Sequence, residues 1–65
     1  MDDCSLMRLP KVMQKTSLGR SYIYHLIKQG EFPQPVKVGP RSVAWVESEV
    51  NDWIANKITQ RDGDR

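Results

Sequence analysis

The sequence has too few cysteine and histidine residues to build a disulfide framework or a closed metal centre. Cys4 is the only cysteine and His25 the only histidine among 65 residues. A single cysteine cannot pair within its own chain, and a structural zinc site takes four ligands, mostly of these two residue types. We therefore expect a fold held by apolar packing alone, with no metal and no cofactor.

Long apolar runs are also absent. No segment approaches the roughly 20 apolar residues that cross a bilayer. The chain opens with Met1-Asp2-Asp3, which places acids where a secretory signal peptide carries bases. These features predict a cytoplasmic protein with no membrane partner.

Catalytic patterns are missing as well. The sequence contains no glycine-rich phosphate loop, no paired cysteines at C-x-x-C spacing and no H-x-E motif. A chain of this length folds as one domain that buries only roughly 60% of its unfolded surface, which leaves little room for a pocket enclosing a substrate. We predict that the protein is not an enzyme.

Charge is present in quantity but is unevenly distributed. The net charge of the chain is +2. Residues 8–41 hold seven bases against one acid, a net charge of +6, whereas residues 1–7 and 42–65 each carry −2. This segregation predicts a basic face for a polyanion, although bases that only keep a small domain soluble are the alternative.

Two short helices are predicted in the basic segment. Leu9, Val12 and Met13 follow helical spacing from Leu9-Pro10 to about Lys15. A second apolar stripe predicts a helix from about Arg20 to Gln29, ended by Gly30; its members are Ile23, Leu26 and Ile27. Joined by a turn at residues 16–19, with Leu18 as its apolar plug, they form a predicted helix-turn-helix unit.

The stretch from Gly30 to Trp45 predicts a proline connector followed by a hairpin. Pro33 and Pro35 remove backbone donors, so residues 32–35 are expected to be extended, with Phe32 turned inward. The hairpin consists of strands at residues 36–38 and 43–45 around a turn at 39–42. Its apolar side chains are expected to rest partly on the helices: Val36, Val38, Val43 and Trp45.

A third helix should close the core. Its predicted stripe is Val46, Val50, Trp53, Ile54 and Ile58, and Ser48 is the expected N-cap. The predicted fold is mainly α with a small β-hairpin, that is, a winged helix-turn-helix of three helices and a two-stranded wing. We divide the chain into a flexible N-terminus at residues 1–7, the domain at residues 8–60 and a frayed tail at residues 61–65.

The outer face of the second helix carries the main candidate site. When a helix lies in the DNA major groove, its N-terminal residues reach the base edges. The candidate side chains on this helix are Arg20, Ser21, Tyr22, Tyr24, His25 and Lys28. The alternatives are a solvated helix start for Arg20, the rim of the core for the tyrosines, and a solvent-facing residue for His25.

The wing supplies the second candidate group, formed by Lys37, Arg41 and Ser42. A base at a hairpin tip can contact phosphates or enter the minor groove beside a helix in the major groove. Lys37 has an alternative role, since a charged residue also protects a strand edge from pairing. Arg8, Lys11 and Lys15 are interpreted as mainly solvated.

Residues 8–57 together resemble a known family, the AlpA-like prophage regulatory proteins, which are small relatives of MerR-type and excisionase-type winged-helix domains. The shared landmarks are Arg8-Leu9-Pro10, the run from Arg20 to Ile27, Gly30 with Phe32-Pro33 and Pro35-Val36, Gly39 with Arg41, and Trp45 followed by Glu49-Val50 and Trp53-Ile54. The chain departs from the family pattern at Gly19, Tyr22, His25 and Pro40.

This resemblance implies a regulator of prophage or genomic-island origin that binds double-stranded DNA, either at an integrase promoter or as an excision factor that contacts a phage-type integrase. A protein-interaction module with a patch of Tyr22, Tyr24 and Phe32 is the alternative from a different class. One small domain reads few base pairs, so we expect a monomer or a weak, cooperative dimer on DNA.

Overall fold

The computed structural model describes residues 5–63. The described residues do not include the first four residues of the predicted flexible N-terminus, Cys4 among them, or the last two residues of the predicted tail. The elements follow the order β1 (Leu6–Met7), α1 (Leu9–Thr16), α2 (Arg20–Lys28), β2 (Val36–Gly39), β3 (Ser42–Val46) and α3 (Glu47–Gly63). Three helices with a small antiparallel sheet confirm the predicted fold class.

The helix-turn-helix unit forms as predicted, and the bonds at the end of α1 define its turn. Ser17 ends α1 in the left-handed conformation, with φ 63°, and its N–H donates to the Met13 carbonyl. The Thr16 hydroxyl reinforces this turn, because it donates to the Val12 carbonyl at 2.8 Å and accepts from the Leu18 N–H at 3.3 Å. Leu18 packs against the core as expected.

Gly30 ends α2 as predicted, at φ +74°. The Gly30 N–H donates to Ile27 and the Glu31 N–H to Leu26, at 3.0 Å and 2.8 Å. These two bonds form a Schellman motif, in which a left-handed residue satisfies the last carbonyls of a helix. The chain therefore leaves α2 in one defined direction, toward the proline connector.

The wing is a tighter hairpin than predicted. Strand β2 pairs antiparallel with β3, and only Pro40 and Arg41 remain between the strands. Val36 and Val38 are 41% and 46% exposed, so the expectation that they rest on the helices is wrong. Val43 and Trp45 of β3 pack on the core as predicted, and Ala44 between them is buried as well, because β3 is the central strand of the sheet.

A third strand, β1, was not predicted. Leu6 pairs with Val46 and Met7 with Trp45, which places β1 on the free edge of β3. Met7 is 5% exposed and belongs to the core. The predicted flexible segment at residues 1–7 is therefore wrong for these two residues.

Helix α3 begins and ends at different residues from those predicted. It follows β3 directly at Glu47, whose N–H donates to the Ser5 carbonyl at 2.8 Å, so Ser48 lies inside the helix and is not its N-cap. It continues to Gly63, which corrects the predicted frayed tail for residues 61–63. Its last two turns contact little, and Ile58 is 49% exposed rather than part of the core.

The core is small and lies where the sheet meets all three helices. Its buried members are Met7, Val12, Ile23, Leu26, Phe32, Trp45 and Val50. Trp45 is fully buried, whereas Trp53, predicted as the largest core contribution of α3, is only partly buried against it. Within residues 5–63, no helix combines the length and apolarity needed to cross a membrane.

Candidate nucleic-acid interface

Helix α2 presents one apolar and one polar face, as predicted. Ile23 and Leu26 are buried, which fixes the rotation of the helix about its axis. All six candidate side chains on α2 are exposed. The structure therefore places all six candidate residues on one accessible helix.

The N-terminus of α2 has no side-chain cap. Gly19 is the N-cap residue, no side chain hydrogen-bonds to the first turn, and that turn holds no acid. The Gly19 carbonyl accepts from Ile23, so the first N–H groups of the helix, at Arg20, Ser21 and Tyr22, have no partner within the helix. Such N–H groups, together with the positive end of the helix dipole, can bind a phosphate.

The aromatic side chains of α2 differ in their contacts. Tyr22 stacks on His25, with ring centroids 6.0 Å apart and planes inclined by 23°. Tyr24 meets Trp45 edge to face at 6.4 Å, so it also connects α2 to the sheet. Tyr22 and His25 thus form an exposed stacked pair, whereas Tyr24 has a structural contact as well as an exposed surface.

The wing residues have different surroundings. Lys37 is exposed on β2 and Arg41 is exposed in the turn, one residue past Pro40. Ser42 is half-buried and begins β3, where it pairs with Gly39 rather than lying in the turn. Arg41 is consequently the exposed base in the turn at the tip of the wing.

Two indole groups fix the connector between α2 and the wing. Trp45 Nε1 donates to the Pro33 carbonyl at 3.1 Å, and Trp53 Nε1 donates to the Glu31 carbonyl at 2.8 Å. Gln34 Nε2 adds a bond to the Ile27 carbonyl at 3.2 Å. Sequence reasoning assigned both tryptophans to the core and missed these bonds, although an indole N–H needs a partner when its ring is buried.

Phe32 does not take part in an exposed aromatic patch. It is 4% exposed and its ring packs edge to face on Trp53, with centroids 4.9 Å apart. The inward orientation predicted for Phe32 is confirmed. The alternative patch of Tyr22, Tyr24 and Phe32 is therefore not formed.

Most bases of residues 8–41 form no ion pair with another described residue. Lys15 is the exception, because its ammonium group lies 2.6 Å from Asn51 Oδ1 and 3.5 Å from a Glu47 carboxylate oxygen. In the part of the chain that the structure describes, no ion pair involves Arg8, Lys11, Arg20, Lys28, Lys37 or Arg41. The same part of the chain holds no cluster of side chains able to bind a metal ion.

Comparisons with known proteins agree with the resemblance seen in the sequence. Residues 5–58 match the family model described as Prophage CP4-57 regulatory protein (AlpA). A protein of Enterobacteria phage P4, described as uncharacterized protein ORF88, is 49% identical over 55 residues, covering 85% of this chain. This chain spans only 62% of the length of that phage protein.

A second relative has a described activity. The DNA-binding transcriptional activator AlpA of Escherichia coli strain K12 is 33% identical over 58 aligned positions, covering 80% of this chain and 83% of that protein. The residues that the family model matches include the helix-turn-helix unit and the wing. The chain belongs to the AlpA family of prophage regulatory proteins.

Proposed function

We propose that this protein is a sequence-specific double-stranded DNA-binding transcriptional regulator that acts at an integrase promoter. The observation that carries the proposal is the start of α2, where unpaired N–H groups, Arg20 and Ser21 are exposed together with no acid beside them. Membership of the AlpA family and the described activity of the Escherichia coli relative support it.

In this proposal α2 lies in the major groove with its N-terminus toward the bases. Arg20 donates two parallel hydrogen bonds to a guanine, the arrangement that most often specifies this base. Ser21 and the first N–H groups hold a phosphate, and Tyr22 with His25 covers the neighbouring sugar or base edge. Tyr24 and Lys28 contact the backbone farther along the helix.

The wing contacts the same duplex beside the groove. Arg41 at the turn enters the minor groove or binds a phosphate, Lys37 adds a phosphate contact, and Ser42 supplies a hydroxyl near the turn. The Schellman motif and the two indole bonds hold the connector, so the angle between α2 and the wing is set before DNA binds. Such preorganisation lowers the ordering cost of binding.

Selection from a random duplex library tests this function. We expect the protein to enrich a short motif, repeated where two molecules load cooperatively, because one such domain reads few base pairs. Footprinting should then place that motif at an integrase promoter in the genome that encodes the protein. Enrichment of no motif, with equal affinity for all duplexes, would contradict sequence-specific binding.

A second function uses the same DNA surface. An excision factor would bend attachment-site DNA and contact a phage-type integrase, and the observation that favours it is an open groove on α3, away from the start of α2. Gel mobility of circularly permuted attachment-site fragments distinguishes the two roles. Mobility that depends on the position of the site would indicate bending and favour the excision role. Mobility that does not depend on position would favour promoter regulation.

A further inference from the structure

A groove lies between the proline connector and α3. It has a volume of about 650 Å³ and opens to solvent; it is lined by Gly30, residues 32–34, Val36, Glu49, Asp52, Trp53 and Asn56. The four residues from α3 follow the spacing i, i+3, i+4 and i+7, so they share one face of that helix. None of the residues predicted to bind DNA lines this groove.

The apolar wall of the groove is rigid. The Trp53 ring is fixed by its hydrogen bond to Glu31 and by its edge contact with Phe32. Val36 adds an aliphatic side chain that is 41% exposed at the groove. An incoming side chain therefore meets a formed apolar surface and orders little of the protein when it binds.

Acidic side chains of α3 lie beside this apolar wall. Glu49 and Asp52 are exposed, lie one turn apart on α3 and form no ion pair with any residue from 5 to 63. Glu47, by contrast, is paired with Lys15. Two unpaired carboxylates beside an apolar wall are complementary to a side-chain cation that neighbours a bulky apolar group.

The position of the groove also indicates what kind of molecule it takes. It meets α2 at Gly30, the far end of a nine-residue helix whose length is about 13 Å, so Arg20 and the groove lie at opposite ends. The Glu49 and Asp52 carboxylates would repel DNA phosphates. This side of the molecule is therefore suited to protein and not to nucleic acid.

We propose that the groove binds a basic peptide segment of another protein, in which a lysine or arginine flanks an aliphatic or aromatic side chain. The cation lies between Glu49 and Asp52, and the apolar side chain packs on Trp53 and Val36. A second copy of this chain fits less well, because its exposed bases on α2 and the wing are used by DNA in the function proposed above. Two steps rest on that function: the preference for another protein over a second copy, and the statement that the groove lies away from bound DNA. The shape and charge of the groove do not depend on it.

Selection of random peptides displayed on phage, with the protein immobilised in the absence of DNA, tests the proposal. We expect enriched peptides to combine lysine or arginine with bulky apolar residues. A synthetic copy of an enriched peptide should shift the tryptophan fluorescence, because Trp53 lines the groove. It should bind Glu49→Gln/Asp52→Asn about three- to tenfold more weakly, as expected for losing two exposed ion pairs. Val36→Thr, which keeps the β-branched shape, should also weaken binding.

Asp62→Asn is the control, because it removes an exposed acid from α3 that lies outside the groove and is paired only with its neighbour Arg61. Failure to enrich any peptide, enrichment of acidic peptides, or binding unchanged by Glu49→Gln/Asp52→Asn would overturn the proposal. A dimer in sedimentation that this double variant dissociates would assign the groove to a second copy and overturn the choice of partner. Duplex binding by the same variants is measured separately, so the groove and the DNA function can fail independently.

Discussion

Arg20 occupies the first position of α2, where its side chain is exposed and the N–H groups of the first turn have no partner within the helix. Sequence spacing predicted this placement, because Ile23, Leu26 and Ile27 fix which side of the helix is buried. The first turn of α2 has no side-chain cap, because Gly19 at the N-cap position has no side chain to supply one. Both features concern single residues, and each leads to a substitution that separates binding from folding.

Replacing Arg20 with alanine should weaken binding to the selected duplex by about 1–3 kcal/mol, because a bidentate contact to guanine would be lost. The preference for that duplex over random DNA should relax at one base position. Fluorescence anisotropy with both duplexes measures the two effects. The control Arg61→Ala removes the same charge from the far end of α3 and should change neither the affinity nor the preference. If Arg20→Ala weakens binding equally on both duplexes, Arg20 contacts only a phosphate.

Replacing Gly19 with aspartate should affect stability and DNA binding in opposite directions. Gly19 has an ordinary extended backbone, φ −81° and ψ 165°, and a side chain there meets nothing within 4 Å. An aspartate can cap the first turn and interact with the helix dipole, stabilising the fold by about 0.5 kcal/mol in urea unfolding. The same carboxylate would repel a phosphate at the helix start and should weaken duplex binding.

Gly19→Ser is the control for this substitution, since it adds a capping oxygen without a charge. It should weaken duplex binding less than Gly19→Asp does. If both variants bind the duplex as tightly as the parent protein, no phosphate occupies the N-terminus of α2.

At the scale of secondary-structure elements, β1 is the clearest difference between expectation and structure. A two-residue strand has no periodicity of its own, and Leu6-Met7 becomes a strand only through pairing with Val46 and Trp45, about forty residues away. Helices α1 and α2 were predictable because their apolar stripes and end residues are local in sequence. The exposure of Val36 and Val38 could not be predicted in this way, because it depends on which strand lies in the middle of the sheet.

Truncating Met7 to alanine should therefore destabilise the protein by about 2–5 kcal/mol, the usual range for deleting a buried side chain of this size. Leu6→Ala, at a neighbouring site that is 48% exposed, should change the free energy of unfolding by about 0.5 kcal/mol or less. Chemical denaturation monitored by circular dichroism measures both. Equal, negligible effects would mean that β1 contributes nothing to the fold.

The indole bonds to the connector lead to a prediction for α3. Trp53→Phe keeps an aromatic ring against Phe32 but removes the donor to the Glu31 carbonyl, so it should cost about 1 kcal/mol of stability. Because the connector sets the direction of the wing, duplex affinity should fall as well. Thermal unfolding and anisotropy on the same preparation provide the test; unchanged values for both would show that the Trp53 hydrogen bond does not hold the connector.

Across the whole molecule, the described surface separates into regions of opposite charge. Bases without an ion pair in residues 5–63 lie at Arg8, on α1, on α2 and on the wing. On α3, Glu49 and Asp52 line the groove, and Lys57 lies over the ring of Trp53. Net charge alone, at +2, conceals this separation, but counting charges along the chain predicted it. The groove itself was not predictable, because it depends on how the connector packs against α3.

The separation of charge implies that phosphate contacts supply much of the binding energy. Each phosphate neutralised by a lysine or arginine releases condensed counterions, so added salt must weaken binding. Six exposed bases of residues 8–41 form no ion pair within residues 5–63, so the proposed DNA surface offers at most six such contacts: Arg8, Lys11, Arg20, Lys28, Lys37 and Arg41.

A salt titration of binding to the selected duplex tests the central claim most directly. We predict that the logarithm of the association constant falls linearly with the logarithm of salt concentration, with a slope of about −0.9 for each phosphate contact and no steeper than six contacts allow. An affinity for duplex DNA that does not change with salt would contradict the account.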